Sequence, residues 1–127
     1  MTNIFGDVRT LSASDKAKTC MKQLVVRGFF KEQVDVWRLG ASLGILTGNV
    51  EKGEKRETFQ NINSLDPESI FAAIMIGLHP ELEPEDRLKL LVDHAEWGIR
   101  EIFKQSEIGT LDFSKLGLPT NNNKNKI

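Results

Sequence analysis

The sequence has few of the residues that mark disulfide-bonded, zinc-binding or membrane-embedded proteins. Its 127 residues include no tyrosine and one cysteine, Cys20, which excludes an intramolecular disulfide framework and a cysteine-rich zinc site. No apolar run approaches the ~18 residues needed to cross a bilayer. The first six residues have neither a basic flank nor an apolar stretch, so no secretory signal is expected. These absences predict a soluble, cytoplasmic protein that has no membrane contact.

Catalytic motifs are missing as well. The chain contains no glycine-rich phosphate loop, no nucleophile elbow and no pair of histidines at metalloprotease spacing. His94 follows Asp93, and Glu96 lies three residues beyond Asp93, so the two carboxylates share one side of a helix. A small enzyme that uses Asp93, Glu96 and His94 together is one option. We nevertheless predict that the protein is not an enzyme and that it uses no cofactor and no metal.

Charge is divided unevenly along the chain. The net charge is −1, but residues 1–60 hold ten Lys or Arg against seven acids, whereas residues 61–127 hold seven against eleven. A basic first half predicts an anionic partner on one face, or head-to-tail contact between copies. An ordinary solvated surface is the alternative. With 39% apolar and 28% charged residues, the chain can bury a core and form one domain.

The first half of the chain contains two helical patterns. Helix one is predicted at about 14–27, with Ser12 or Ser14 as its N-cap, Cys20 in its core stripe and Gly28 at its end. Helix two, at about 31–46, is apolar on more than one side and rich in small residues. This composition predicts the close approach of another helix. Part of the apolar surface of helix two could be buried by another subunit.

The second half contains two more helices. Asp66 as cap and Pro67 in the first position mark the start of the third helix, and the fourth runs from about Pro84 to Gln105. Gly98 is a weak point in the fourth helix. The predicted core stripe of the third helix consists of Ile70, Phe71, Ile74, Met75 and Leu78.

The intervening segments complete the predicted architecture. Residues 48–65 are charged and predict a flexible connection, and residues 119–127 are polar and predict a disordered tail. The fold class is therefore mainly α: a single domain over 1–118, built as a compact bundle of about four helices.

The order of elements over residues 7–46 is typical of the ribbon-helix-helix plan. Asp7–Leu11 predicts a short strand, which in that plan pairs with the same strand of a second chain and enters the major groove. The start of helix two, near residues 30–32, would then meet a phosphate through free backbone N–H groups. An ordinary helical hairpin with solvated lysines is the alternative.

Three stretches resemble a known family. The sequence LSASDKAKTCMKQLVVRGFFKEQVDVWRLGASLGI resembles the two-helix opening of DndE, the small protein of bacterial DNA phosphorothioation systems. SLDPESIFAAIM and EDRLKLLVDHAEWGIREI resemble that family's later helices, with His94, Gly98 and Ile99 in the matching pattern. The resemblance implies a helical oligomer that binds duplex DNA beside a sulfur-transfer or restriction complex.

From these observations we expect a non-enzymatic, homo-oligomeric DNA-binding accessory protein of a DNA-modification or defence system. The alternative is an adaptor or scaffold that binds a protein partner through an apolar helical surface that includes Trp37. The expected DNA contacts are the basic residues of the first half: Arg9, Lys16, Lys18, Lys22, Arg27, Lys31 and Arg38, with Lys52, Lys55 and Arg56 as a mobile second patch.

Overall fold

The computed structural model describes Phe5, residues 8–53 and residues 55–109. The elements in chain order are β1 (Thr10–Ser14), α1 (Asp15–Val26), α2 (Gln33–Thr47), β2 (Arg56–Asn61), α3 (Ile62–Leu65), α4 (Ile70–Leu78) and α5 (Pro84–Glu107). The structure is mostly helical with one small antiparallel sheet, so the mainly α prediction is confirmed at that level. The predicted tail, and residues 110–118 of the predicted domain, lie outside the described residues.

Helix α1 begins and packs as its sequence predicts. The Ser14 hydroxyl accepts a hydrogen bond from the Ala17 N–H at 3.0 Å, which satisfies one of the free donors of the first turn. Cys20, Met21 and Leu24 are buried on the face that α1 turns to the core. The predicted bounds, about 14–27, agree with the observed helix.

Helices α2 and α5 cross with their backbones almost in contact. A Cβ atom on Gly98 would overlap the carbonyl oxygen of Gly40, and one on Gly44 would overlap the carbonyl of His94. The close approach predicted for helix two is therefore confirmed, and Gly98 is a contact point of the crossing. The buried residues of α2 pack within this chain, in a core that they share with α5.

The strand prediction needs two corrections. The first strand is Thr10–Ser14 and lies further along the chain than the predicted Asp7–Leu11, because Leu11 and Ala13 alternate into the core. Its partner is Arg56–Asn61, inside the segment 48–65 that was predicted to be a flexible connection. β1 thus pairs with β2 of its own chain, whereas the ribbon-helix-helix plan pairs strands of two chains.

The last two helices follow the predicted order with a later start for α4. The Asp66 carboxylate accepts hydrogen bonds from the N–H groups of Ile70 (2.8 Å) and Ala72 (3.2 Å), so it caps a helix that begins four residues beyond it. Pro84 occupies the first turn of α5, as predicted. α3 is an additional single turn between β2 and α4.

Candidate interaction surfaces

Three of the predicted DNA-binding arginines, Arg27, Arg38 and Arg56, are paired with carboxylates. Arg27 forms an ion pair with Glu107 near the end of α5. Arg38 lies 3.3 Å from Asp35 and donates to the Leu65 carbonyl at 3.0 Å, which ties α2 to α3. Each guanidinium is held by groups of this chain, and its charge is offset by a neighbouring acid.

Arg56 is the clearest departure from the predicted mobile patch. Its side chain is only 12% exposed. One guanidinium nitrogen, Nη1, donates to Asp93 Oδ1 at 2.6 Å, and Nη2 donates to the Glu51 carbonyl at 2.6 Å. A paired guanidinium at this depth anchors the first residue of β2 on α5, so Arg56 is a structural residue and the prediction of a mobile contact is wrong.

Glu96 is the buried centre of the same network. Its side chain is 1% exposed and accepts hydrogen bonds from both the backbone N–H and the hydroxyl of Ser14, each at 2.8 Å. Arg100 Nη2 lies 3.4 Å from Oε1, and Arg56 Nε lies 4.0 Å from Oε2. Asp93 and Glu96 share one side of α5, as their spacing predicts, and together they join both strands to that helix.

His94 does not join these carboxylates in one site. Its Nδ1 donates to the Asn49 carbonyl at 2.7 Å, so the ring contacts the turn that follows α2. In the part of the chain that the structure describes, no three His, Cys, Asp or Glu side chains are grouped so as to hold a metal ion. The arrangement of Asp93, Glu96 and His94 is that of three anchoring side chains.

Two lysines of α1 lie in a basic concavity. Lys18 and Lys22 line a shallow depression of about 380 Å³ with Gln33 and Thr58, and no acid is among its lining residues. Lys18 Nζ donates to the Thr58 carbonyl at 3.0 Å, so its ammonium is held beside β2. In this depression two of the predicted contacts share a surface whose lining includes no acid.

The other predicted lysines are mixed with acids. Lys16 and Lys55 line a second depression together with Asp15 and Glu57, and Lys55 Nζ lies 3.7 Å from the Glu57 carboxylate. The exposed cations in this region are therefore largely offset by acids of similar exposure. Three further predicted contacts are exposed and lie on separate parts of the fold: Arg9 ahead of β1, Lys31 ahead of α2 and Lys52 ahead of β2.

The N-terminus of α2 differs from the predicted phosphate site. Asp35 Oδ2 accepts the N–H of Glu32 at 3.2 Å, and the two residues form a capping box. The chain's own carboxylates therefore occupy the end of the helix where a phosphate was expected. A phosphate at the same place would meet like charge.

Trp37 is not available to a partner. Its side chain is 1% exposed and packs edge to face against Phe71, with ring centroids 5.7 Å apart. The prediction that Trp37 forms an exposed apolar surface is wrong, because the side chain lies in the common core and Phe71 of α4 packs against its ring.

An exposed apolar surface does exist, on α4. Phe71, Ala72 and Met75 are buried, but Ile70 is 54% exposed and Leu78 is 55% exposed. Of the five residues in the predicted core stripe, Phe71 and Met75 are buried, and the prediction is wrong for Ile70, Ile74 and Leu78. The nine residues of α4 include no polar side chain, so a helix buried on one side only must leave apolar residues in water. The α4 face, as we call this surface, consists of Ile70, Ala73, Ile74, Gly77 and Leu78.

No family model, no curated protein and no solved structure matches this chain. Within the described residues, every helix is too short or too polar to span a bilayer.

Proposed function

We propose that this protein is a non-enzymatic adaptor that binds a protein partner through the α4 face. The observation that carries the proposal is the exposure of a wholly apolar helix. Residues 70, 73, 74, 77 and 78 follow the i, i+3, i+4, i+7, i+8 spacing of one helical stripe, and all of them are exposed. Contiguous apolar patches of this kind mark interaction surfaces in soluble proteins.

The chemistry around the α4 face indicates the kind of partner. Burying Ile70, Ile74 and Leu78 against a partner contributes about 1 kcal/mol of binding free energy each. The gain is limited because only about half of each side chain is exposed to water in the free protein. That sum alone gives only weak binding. The exposed acids that flank the helix, Glu68 before it and Glu81 and Glu83 after it, add a negative rim. The partner that fits is an amphipathic helix whose apolar stripe is bordered by basic residues.

Site-specific crosslinking in the native host tests this proposal. A photoreactive phenylalanine analogue placed at Ile74 should give a covalent adduct with one partner protein. The matched control is the same analogue at Val26, which is 70% exposed on α1 and lies outside the α4 face. Adducts at both positions, at neither, or only with a second copy of this chain would contradict the proposal.

Gly77 allows a sharper variant. No neighbouring atom lies within 4 Å of a Cβ built on it, so Gly77→Ala fits the isolated chain. We expect the variant to be up to about 1 kcal/mol more stable, because alanine favours the helix. The added methyl group stands on the α4 face and should reduce the crosslink from position 74. Lower stability, or an unchanged crosslink, would count against close packing of a partner here.

The second candidate function is the DNA-binding accessory role that the resemblance to DndE implies. The specific observation in its favour is the acid-free depression that Lys18 and Lys22 line. Two neighbouring ammonium groups can neutralise phosphates of a duplex, and that binding weakens as salt rises. The mixture of signs elsewhere on the surface favours the adaptor over this role.

A binding titration with duplex DNA separates the two functions. If the depression binds phosphates, affinity should fall steeply between about 50 and 200 mM salt, and Lys22→Glu should weaken binding by roughly tenfold. Lys104→Glu, the same charge change on the exposed part of α5, is the matched control and should have little effect. Equal losses in both variants, or no binding at low salt, would exclude the DNA role.

A further inference from the structure

A groove of about 790 Å³ separates β1 from the N-terminal half of α5. Thr10 and Ser12 line one wall. Lys89, Leu90 and Asp93 line the other. Two of the basic residues discussed above, Lys52 and Arg56, also line this groove, and the α4 face does not contribute to it.

The strand wall is a backbone edge. In an antiparallel pair, alternate residues direct their N–H and C=O groups at the partner strand and away from it. The Arg9 carbonyl accepts from the Ile62 N–H at 3.0 Å, so Arg9 faces β2. Ser14 N–H donates instead to Glu96, so Ser14 faces away from β2. Thr10 and Ser12 lie four and two residues before Ser14. Because the direction of the backbone groups repeats every two residues, theirs face away from β2 as well.

The register of the sheet supports this alternation. Leu11 pairs with Gln60 and Ser12 pairs with Thr58, so the extra residue of the bulge, Phe59, lies in β2 and leaves β1 regular. The Thr58 carbonyl accepts from Lys18 Nζ, as expected if the backbone groups of the Ser12–Thr58 pair point outward. Thr10 and Ser12, whose backbone groups this register directs away from β2, both line the groove.

The groove has one closed end with a defined charge. The Ser14 N–H donates to Glu96, so the free backbone edge of β1 stops at this residue. The ion pair of Arg56 and Asp93 lies beside it, and its two charges offset each other. Lys52 lies at the same end of the groove, because Arg56 holds the carbonyl of the preceding residue, Glu51. The α5 wall extends from this end towards Glu85 and Asp86, which also line the groove.

We propose that an extended segment of a partner protein binds in this groove as a third strand antiparallel to β1. Outward N–H and C=O groups at Thr10 and Ser12 recognise an extended backbone, which is the chemistry of strand addition. The N-terminus of an antiparallel segment lies at the Lys52 end and its C-terminus lies towards Glu85 and Asp86. Acidic residues at its N-terminus and basic residues at its C-terminus therefore match the groove.

A designed peptide tests the proposal on the full chain. The probe has about ten residues: glutamates at its N-terminus, alternating valine and threonine, and lysines at its C-terminus. Titration followed by amide NMR should shift the Thr10 and Ser12 signals and slow their hydrogen exchange. The same peptide with N-methylated alternate residues cannot donate the strand hydrogen bonds and should lose at least tenfold in affinity. A peptide with its charged ends exchanged should bind more weakly at low salt.

Ser12→Pro provides the matched change in the protein. Proline removes an N–H that the β2 ladder does not use, and edge strands tolerate it. Binding of the peptide should be lost while the spectrum of α5 stays unchanged. Ile74→Gln should bind the peptide normally, so this result is independent of the adaptor proposal.

Several outcomes would overturn strand addition at β1. Strong protection of the Thr10 and Ser12 amides in the chain alone would show that the edge is already covered. Concentration-dependent shifts without peptide would show that a second copy occupies it. An absence of shifts at about 1 mM peptide, or equal binding of the N-methylated peptide, would exclude backbone recognition.

Discussion

Gly98 determines how closely α5 approaches α2. The carbonyl oxygen of Gly40 occupies the place where a side chain on Gly98 would begin. Because both partners are backbone, neither can move aside without shifting a helix. Gly98 lowers the intrinsic stability of α5, but its lack of a side chain allows α5 to cross α2 at backbone contact.

We expect Gly98→Ala to lower the free energy of unfolding by about 3 kcal/mol, because overpacking at a backbone contact forces the helices apart. Urea unfolding measures this loss. The control is Gly77→Ala, where the added methyl meets no neighbour. A loss below about 0.5 kcal/mol at Gly98 would show that the crossing tolerates separation.

Cys20 is the residue whose titration the fold changes. Burial raises the pKa of its thiol above the ordinary range, because desolvation disfavours the thiolate, although the positive charge of Arg100 opposes this. The folded state therefore binds the thiol proton more tightly than the unfolded chain does. The stability that this contributes is present below the unfolded pKa and is lost as pH rises through the folded pKa.

Thiol labelling checks the state of Cys20. At pH 8 the native protein should react with a disulfide reagent many times more slowly than the chain in denaturant, since the reactive species is the thiolate. Rapid labelling of the native protein would mean that α1 opens readily. It would also contradict the assignment of Cys20 to the core.

At the scale of elements, β2 shows how a charged segment becomes a strand. Residues 48–65 have the composition of a flexible connection, and alternation in RETFQN is weak. Arg56 and Asp93 are 37 residues apart, and their pairing is invisible to any local pattern. The strand forms because the backbone pairs with β1 and the guanidinium reaches a buried carboxylate. Helices α1 and α5, whose caps and stripes are local, were predictable.

Arg56→Ala should destabilise the protein by about 3–5 kcal/mol, because it leaves Asp93 and Glu96 buried without their shared cation. Asp93→Ala should also be destabilising. The double variant should be less destabilised than the sum of the two, which a double-mutant cycle from urea unfolding would show. Strictly additive losses would mean that the two side chains do not act as a pair.

For the molecule as a whole, the distribution of charge matters more than its total. The net charge of −1 conceals a surface on which half of the predicted contacts lie beside acids. The exposed apolar residues are concentrated on α4, where four are more than a third exposed: Ile70, Ile74, Ile76 and Leu78. Over the described residues, a surface of mixed charge with an apolar patch on α4 favours contact with a protein over contact with a polyanion.

Solubility against pH tests this view of the surface. The pI is about 6.1, and near that pH self-repulsion between copies vanishes. We expect minimum solubility there, driven by the α4 face. Ile74→Gln changes no charge and should raise solubility at the minimum, whereas Val26→Gln should raise it less. An equal effect of both would mean that the α4 face is not the associating surface.

The sequence by itself determined the order and approximate bounds of four helices and the small residues of one crossing. Each of these depends on spacing or capping within a few neighbouring residues. Only the tertiary structure decided that Trp37 is buried, that Arg56 is an anchor and that Ile70 faces water. These outcomes depend on which helices and strands pack against one another, and that packing is made by contacts between residues far apart in the chain. The tertiary structure also decided which backbone groups of β1 point outward, because a strand has a free edge only where no second strand pairs with it.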